Sequence, residues 1–254
     1  MIPTPIRQVL STMQANGVQT LLMGGQACVF YGAAQVSKDV DFLLLAGPEN
    51  FTRLHAALAS LEARRIAVPR FSPEVLARGH AVHFRCAAVG VKELRVDVMT
   101  RLRDLPEFVA LWERRTVFAD ETGTEFHLLS IPDLVQAKKT QRTKDWPVIE
   151  LLVAIHHREN AATQHADWIA FWLAESRTPE LLRDLAARFP TEARAMQAGR
   201  PLLAHAIAGD LDAMRTALDV ETRAEQAKDR AYWEPLRREL EQFRREETQK
   251  SDDQ

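Results

Sequence analysis

The segment Val36-Ser37-Lys38-Asp39-Val40-Asp41-Phe42-Leu43-Leu44-Leu45 places two acids, one residue apart, at the mouth of a continuous apolar run. A run of this length and composition reads as a strand. Because Phe42 to Leu45 shows no polar alternation, that strand must be covered on both faces. It needs sheet neighbours on either side and helices above and below, which restricts the chain to a mixed α and β architecture. Side chains on a strand alternate between faces, so Asp39 and Asp41 point the same way while Val40 and Phe42 enter the core. Two like charges ~4 Å apart repel by roughly 4 kcal/mol at an effective dielectric near 20, so the pair requires a counter-charge. The only basic residue in the strand itself is Lys38. A divalent cation between the carboxylates would meet the requirement, and the combination points to metal-assisted phosphoryl chemistry.

The pattern on either side supplies the rest of a sheet. Residues 4 to 16 carry Ile6, Val9, Leu10 and Met13 on one stripe and stop at Asn16-Gly17, which predicts a helix. Thr20 to Met23 reads as a short strand. Gly24-Gly25 then turns that strand into a helix over Gln26 to Ala34, at a point where backbone can approach a ligand closely. Pro48 to Arg65 is expected as one helix with Phe51, Leu54, Leu58 and Leu61 inward, and Pro69 to Arg78 as a loop with a short helix. Two further strands are expected at Ala81 to Ala87 and Leu94 to Met99, the second carrying a third carboxylate, Asp97, level with a strand end. Thr116 to Ala119 and Glu125 to Leu128 flank Glu121-Thr122-Gly123 as a hairpin.

From Ser130 the pattern becomes helical. Ser130 is an N-cap, with Asp133 three residues on as a capping-box variant, and the helix it opens carries Lys138 and Lys139. A second helix is expected from Lys144 or Asp145 to His157. Short helices follow, broken near Thr178-Pro179, Pro190, Gly199-Arg200-Pro201 and Gly209. A charged helix over Glu221 to Glu247 and a frayed tail from Thr248 to Gln254 complete the chain. The expectation is an α+β fold: a mixed-sheet domain over residues 1–128 and an all-helical region over 129–254, with the cleft between them suited to a site.

Composition excludes several alternatives. A net charge of −2 argues against a protein that coats nucleic acid, so any polyanion site must be local. The first residues lack the charged and apolar regions of a signal peptide, and no apolar run approaches the ~18 residues of a membrane span, so a cytoplasmic protein with no membrane partner is expected. Cys28 and Cys86 both lie in apolar settings and read as buried free thiols.

Taken together, Gly24-Gly25, Asp39, Asp41 and Asp97 resemble the nucleotidyltransferase superfamily of polymerase-beta-like fold. In that family a Gly-Gly or Gly-Ser turn precedes an Asp-x-Asp strand by about a dozen residues, and thirteen residues separate Gly25 from Asp39 here. Ser37, two residues before the first acid, also matches. The segment Leu129 to Lys138 followed by Arg142-Thr143-Lys144-Asp145 is similar to the family's small bacterial members, of the toxin-antitoxin and antibiotic-modifying kind. Two positions depart from those members: Val148 stands where they commonly carry a further acid, and Pro147 enters the first turn of the following helix. The resemblance covers roughly residues 18 to 155 and implies a set of roles. Asp39, Asp41 and Asp97 would hold Mg2+, or Mn2+ in its place, with Asp97 as the general base toward an acceptor hydroxyl. Gly24, Gly25, Ser37, Lys138, Arg142 and Lys144 would line the phosphates of a nucleoside triphosphate such as ATP. The acceptor would be a small molecule, a protein side chain or an RNA end.

Plainer readings stand beside these. A Gly-Gly pair serves most strand-to-helix turns without any phosphate, and Lys138 to Lys144 would by default be a solvated helix end. His80 and His83 have H-x-x-H spacing but no zinc-like partners. His156 and His157 end a helix, where the dipole favours partly charged imidazoles. Trp168 and Trp172, four apart, read as core. An alternative function is a vestigial transferase module acting through a partner protein, with Glu221 to Glu247 as the docking helix.

Overall fold

Helix α1 (Thr4–Ala15) buries Ile6, Val9, Leu10 and Met13, the four residues of the predicted stripe. In the computed structural model, which describes residues 4–252 apart from 122 and 164, it is followed by β1 (Thr20–Met23), α2 (Gly24–Phe30), β2 (Asp39–Leu44) and α3 (Pro48–Ser60). Then come β3 (Arg64–Arg65), α4 (Pro73–Ala77), β4 (Val82–Arg85), β5 (Arg95–Met99), α5 (Phe108–Glu113), β6 (Thr116–Ala119), β7 (Glu125–Leu128) and α6 (Ile131–Lys138). The sheet order is β3-β4-β5-β2-β1-β7-β6, a mixed sheet with β2 among its central strands. β2 runs antiparallel to β1 and parallel to β5, and β5 runs antiparallel to β4. Val40, Phe42, Leu43 and Leu44 of β2 are all buried, as an apolar run covered on both faces requires. Each such side chain is worth ~1.5–3 kcal/mol relative to an exposed one.

Several boundaries fall elsewhere than expected. The helix expected over Pro48 to Arg65 ends at Ser60. Leu61 caps it, Glu62 takes φ +47°, and Arg64 and Arg65 pair with β4 as a short edge strand. α2 starts at Gly24 itself and stops at Phe30, so the chain leads into β2 through an irregular stretch. α5 has no counterpart among the expected elements. Asp97 lies at the centre of β5, level with Asp41 across the pairing, and not at a strand end. Thr122 of the expected hairpin turn lies outside the described residues.

The chain folds as two compact units, Met1–Ala137 with Tyr232–Gln254, and Lys138–Ala231. This draws the division nine residues beyond 128 and returns the C-terminal end of the chain to the sheet unit. The second unit holds a 3-10 turn over Thr143–Asp145, α7 (Trp146–Asn160), α8 (Ala166–Glu175), α9 (Pro179–Arg188), α10 (Pro190–Met196), α11 (Leu203–Ala208) and the first half of α12 (Leu211–Asp252). α12 begins ten residues before Glu221, passes Pro235 without ending, and continues through the stretch expected to fray; Asp253 and Gln254 lie outside the described residues. Its final part rests on the sheet unit. Glu239 takes hydrogen bonds from His80 Nε2 at 2.8 Å and Arg78 Nε at 2.9 Å, and Arg65 pairs with Glu247 at 2.9 Å.

Trp172 is fully buried in the second unit and donates its indole N–H to His156 Nδ1 at 2.9 Å. His156 must therefore be neutral at that nitrogen, contrary to the partly charged state expected of a helix end. Burial, reinforced by the neighbouring His157, lowers its pKa below the ordinary 6.5, and burial lowers His157 as well. A histidine whose folded pKa is depressed contributes stability that is present above its unfolded pKa. That stability is lost as the pH falls through the window down to the folded value, because the unfolded chain takes up protons that the native state refuses. The melting temperature should drop between about pH 7.5 and 5.5, and drop less in a His156→Gln variant; thermal unfolding followed by tryptophan fluorescence checks both.

Candidate active site

The three carboxylates come together on one face of the sheet unit. Asp39 and Asp41 share a face of β2 by strand alternation. The parallel register sets Asp41 beside Asp97 and Asp39 beside Arg95, and the antiparallel register sets Asp97 beside His83 on β4. Paired residues of neighbouring strands stand ~4.8 Å apart with side chains on the same side, so Asp39, Asp41, Arg95, Asp97 and His83 form one polar patch. Met23, opposite Asp41 on β1, leads directly into Gly24.

The Gly-Gly turn is built around that patch. Gly24 has φ +67°, and a methyl group on it would stand 2.0 Å from Asp41 Oδ2 and 2.8 Å from Asp41 Cβ. One on Gly25 would stand 2.6 Å from Ser37 Oγ, whose hydroxyl donates to the Asp39 carbonyl at 3.1 Å. The glycines are required because Asp41 and Ser37 lie against the backbone. The turn thus seats the acidic strand, and its α2 helix, seven residues long, carries only a short dipole.

The counter-charge comes from the adjacent strand. Arg95 donates from Nε to Asp97 Oδ1 at 2.7 Å and from Nη2 to Asp97 Oδ2 at 2.8 Å, a two-pronged fork on one carboxylate. His83 Nδ1 lies 2.9 Å from the same Oδ1. Burial pushes the Asp97 pKa up, but the hydrogen bonds and charges of His83 and Arg95 outweigh it, and the net direction is down. The Arg95 guanidinium is in turn held more firmly protonated: by its hydrogen bond to Asp97 first, against some burial, and then by the charges of Asp97, Asp39 and Asp41. It therefore feels all three acids. Sequence reasoning passed over both Arg95 and His83 as members of the site. The signal for Arg95 was its place two residues before Asp97, hence on the same face of β5.

Whether a divalent cation fits differs from one acid to the next. Asp39 and Asp41 offer hard carboxylate oxygens from one strand face, the donor set magnesium takes when substrate phosphates and water complete its shell. Asp97 as it stands does not fit, since both of its oxygens are engaged by Arg95. Among the described residues no group of three or more His, Cys, Asp or Glu side chains is arranged to hold a metal.

Of the basic residues singled out in the sequence, all in the second unit, Lys138 and Arg142 share one acid, Asp145, and Lys139 pairs with Glu175 at 2.7 Å. Lys138 Nζ reaches Asp145 Oδ1 at 3.2 Å, while Thr140 Oγ1 and Arg142 Nε donate to Asp145 Oδ2 at 2.6 and 2.8 Å. Burial raises the Asp145 pKa, and Lys138, Thr140 and Arg142 together bring it below the ordinary value. Lys138 is buried, contrary to the solvated helix end that is its plainer reading; Arg142 and Lys144 are exposed. His80 and His83 have separate partners, Glu239 and Asp97.

No protein-family model and no curated protein matches the chain. Among solved structures it is similar to an H. pylori protein described as a candidate nucleotidyltransferase, at 16% identity over 89% of this chain and 94% of that one, with a TM-score of 0.41.

Proposed function

We propose that the chain is a nucleotidyltransferase that moves a nucleoside monophosphate from a nucleoside triphosphate to a hydroxyl acceptor. The observation that carries this reading is the seating of Asp41 against Gly24, which brings a glycine turn and two same-face carboxylates to one point of the sheet. Asp39 and Asp41 are the residues that would hold a divalent cation, Mg2+ or Mn2+. Bound there, such an ion supplies charge stabilisation to the phosphates and lowers the pKa of an oxygen it binds. Gly24 admits Asp41 to that position, and Ser37 fixes the chain at Asp39. Asp97, released from Arg95, accepts the proton of the acceptor hydroxyl as that oxygen attacks the α-phosphorus and the bond to pyrophosphate breaks. In the second unit Lys138 and Arg142 are both held by Asp145, and Lys144 is exposed.

The Arg95 fork on Asp97 favours a second reading, in which the acids already have their counter-ion and the fold acts through a partner protein, as in a toxin-antitoxin pair. Calorimetric titration of the four ribonucleoside triphosphates, with magnesium and with a chelator, separates the two. Magnesium-dependent binding of at least one triphosphate is expected of the enzyme. No binding by folded protein would leave the partner reading.

A further inference from the structure

Resting on the reading of Asp39 and Asp41 as a divalent-cation site, we infer that Arg95 is a built-in competitor for that site, a protein cation that neutralises the acids until a metal ion displaces it. Two observations carry the inference. The guanidinium takes both oxygens of Asp97, at 2.7 and 2.8 Å, so each oxygen of the third acid already has a cationic partner. By register Arg95 stands beside Asp39 and Asp97 beside Asp41, so the fork forms the β5 edge of the four-residue square that holds all three acids. Beside that geometry, the charges of Asp39 and Asp41 both act on Arg95, after its hydrogen bond to Asp97.

The physical consequence is an exchange of cations. With Arg95 in place the patch holds three carboxylates against one guanidinium and the His83 imidazole, and a divalent ion entering it must face a fixed positive charge a few ångströms away. At an effective dielectric near 20 that repulsion is comparable with the attraction of one carboxylate, so the ion gains little from the third acid until the fork opens. Arg95 is 37% exposed at its side chain, against 12% for Asp97, so the arginine is the partner with room to leave. A guanidinium fork also matches a phosphate as well as it matches a carboxylate. A triphosphate arriving with the metal therefore offers Arg95 a replacement partner while freeing Asp97. Metal and triphosphate would then bind better together than apart.

The test is Mn2+ binding, read as loss of the free-ion paramagnetic resonance signal, in the full chain and three variants: Arg95→Gln, Arg95→Lys, and Asp39→Asn with Asp41→Asn. The Gln variant should bind Mn2+ more tightly than wild type by about tenfold, the equivalent of one charge-assisted contact. The Lys variant keeps the charge and loses the fork, and should fall between them. If Arg95→Gln does not fold, as judged by circular dichroism, the Lys variant decides alone: tighter binding than wild type supports the inference and equal binding overturns it. Equal or weaker binding by a folded Gln variant, with the double aspartate variant binding none, overturns the competitor role and leaves the metal site standing. Absence of Mn2+ binding in wild type and in both Arg95 variants would remove the metal site itself, and the inference with it.

Discussion

Replacing Asp39 and Asp41 together by asparagine should reduce magnesium-dependent triphosphate affinity at least about a hundredfold, or ~2.7 kcal/mol, while the protein stays folded. The two parts of this expectation have separate causes. The loss follows from the donor set: these carboxylates share a strand face, and an amide oxygen binds a hard divalent ion far more weakly than a carboxylate does. Retention of the fold follows from electrostatics. The patch carries three acids, and Arg95 serves Asp97 directly, so removing two negative charges relieves repulsion and leaves the Arg95–Asp97 fork in place. The variant's melting temperature should match or exceed that of wild type. Calorimetry and circular dichroism on the same preparation test both halves. A variant that loses binding only because it unfolds would say nothing for the metal role.

Gly24→Ala should be the most damaging single methyl in the sheet unit, at about 3 kcal/mol. About 1 kcal/mol of this is the left-handed backbone at φ +67°, which an alanine adopts at a cost wherever it occurs. The remainder is collision, since the new methyl would stand 2.0 Å from Asp41 Oδ2 and 2.8 Å from Asp41 Cβ. Rotating the carboxylate clears the oxygen but not the Cβ, so the strand itself must give way. A double-mutant cycle with Asp41→Gly isolates the second part. Urea unfolding should show the alanine costing only about 1 kcal/mol once the Asp41 side chain is gone. An equal cost in both backgrounds would mean that the glycine serves backbone conformation alone.

What could be read from the residues, and what could not, divides along the line between local and long-range interactions. The stripe of α1, the strand β1, the apolar body of β2, the Ser130 cap and the prolines that open α9 and α10 are properties of neighbouring residues and stand where the pattern put them, while β2 begins at Asp39 and not at Val36. Arg64 and Arg65 were misassigned to a helix because a two-residue edge strand exists only through its partner β4. The register that sets Asp97 beside Asp41 was equally hidden, although the shared face of Asp39 and Asp41 was not. Arg95 is the instructive case. The acid pair demanded a counter-charge, the search for one stayed within a single strand, and the answer lay on the next strand, two residues before the third acid. Lys138 shows the same limit, since the buried Asp145 seven residues on, and not solvent, receives its charge.

The most direct measurement is anomalous diffraction at the manganese edge from crystals grown with Mn2+ and a non-hydrolysable nucleoside triphosphate. The expected result is a peak within about 2.5 Å of carboxylate oxygens of both Asp39 and Asp41, with the triphosphate bridging to it and the Arg95 fork on Asp97 opened. A bound triphosphate with no metal at these two aspartates, or a metal bound elsewhere in the chain with Arg95 still closed on Asp97, would contradict the account.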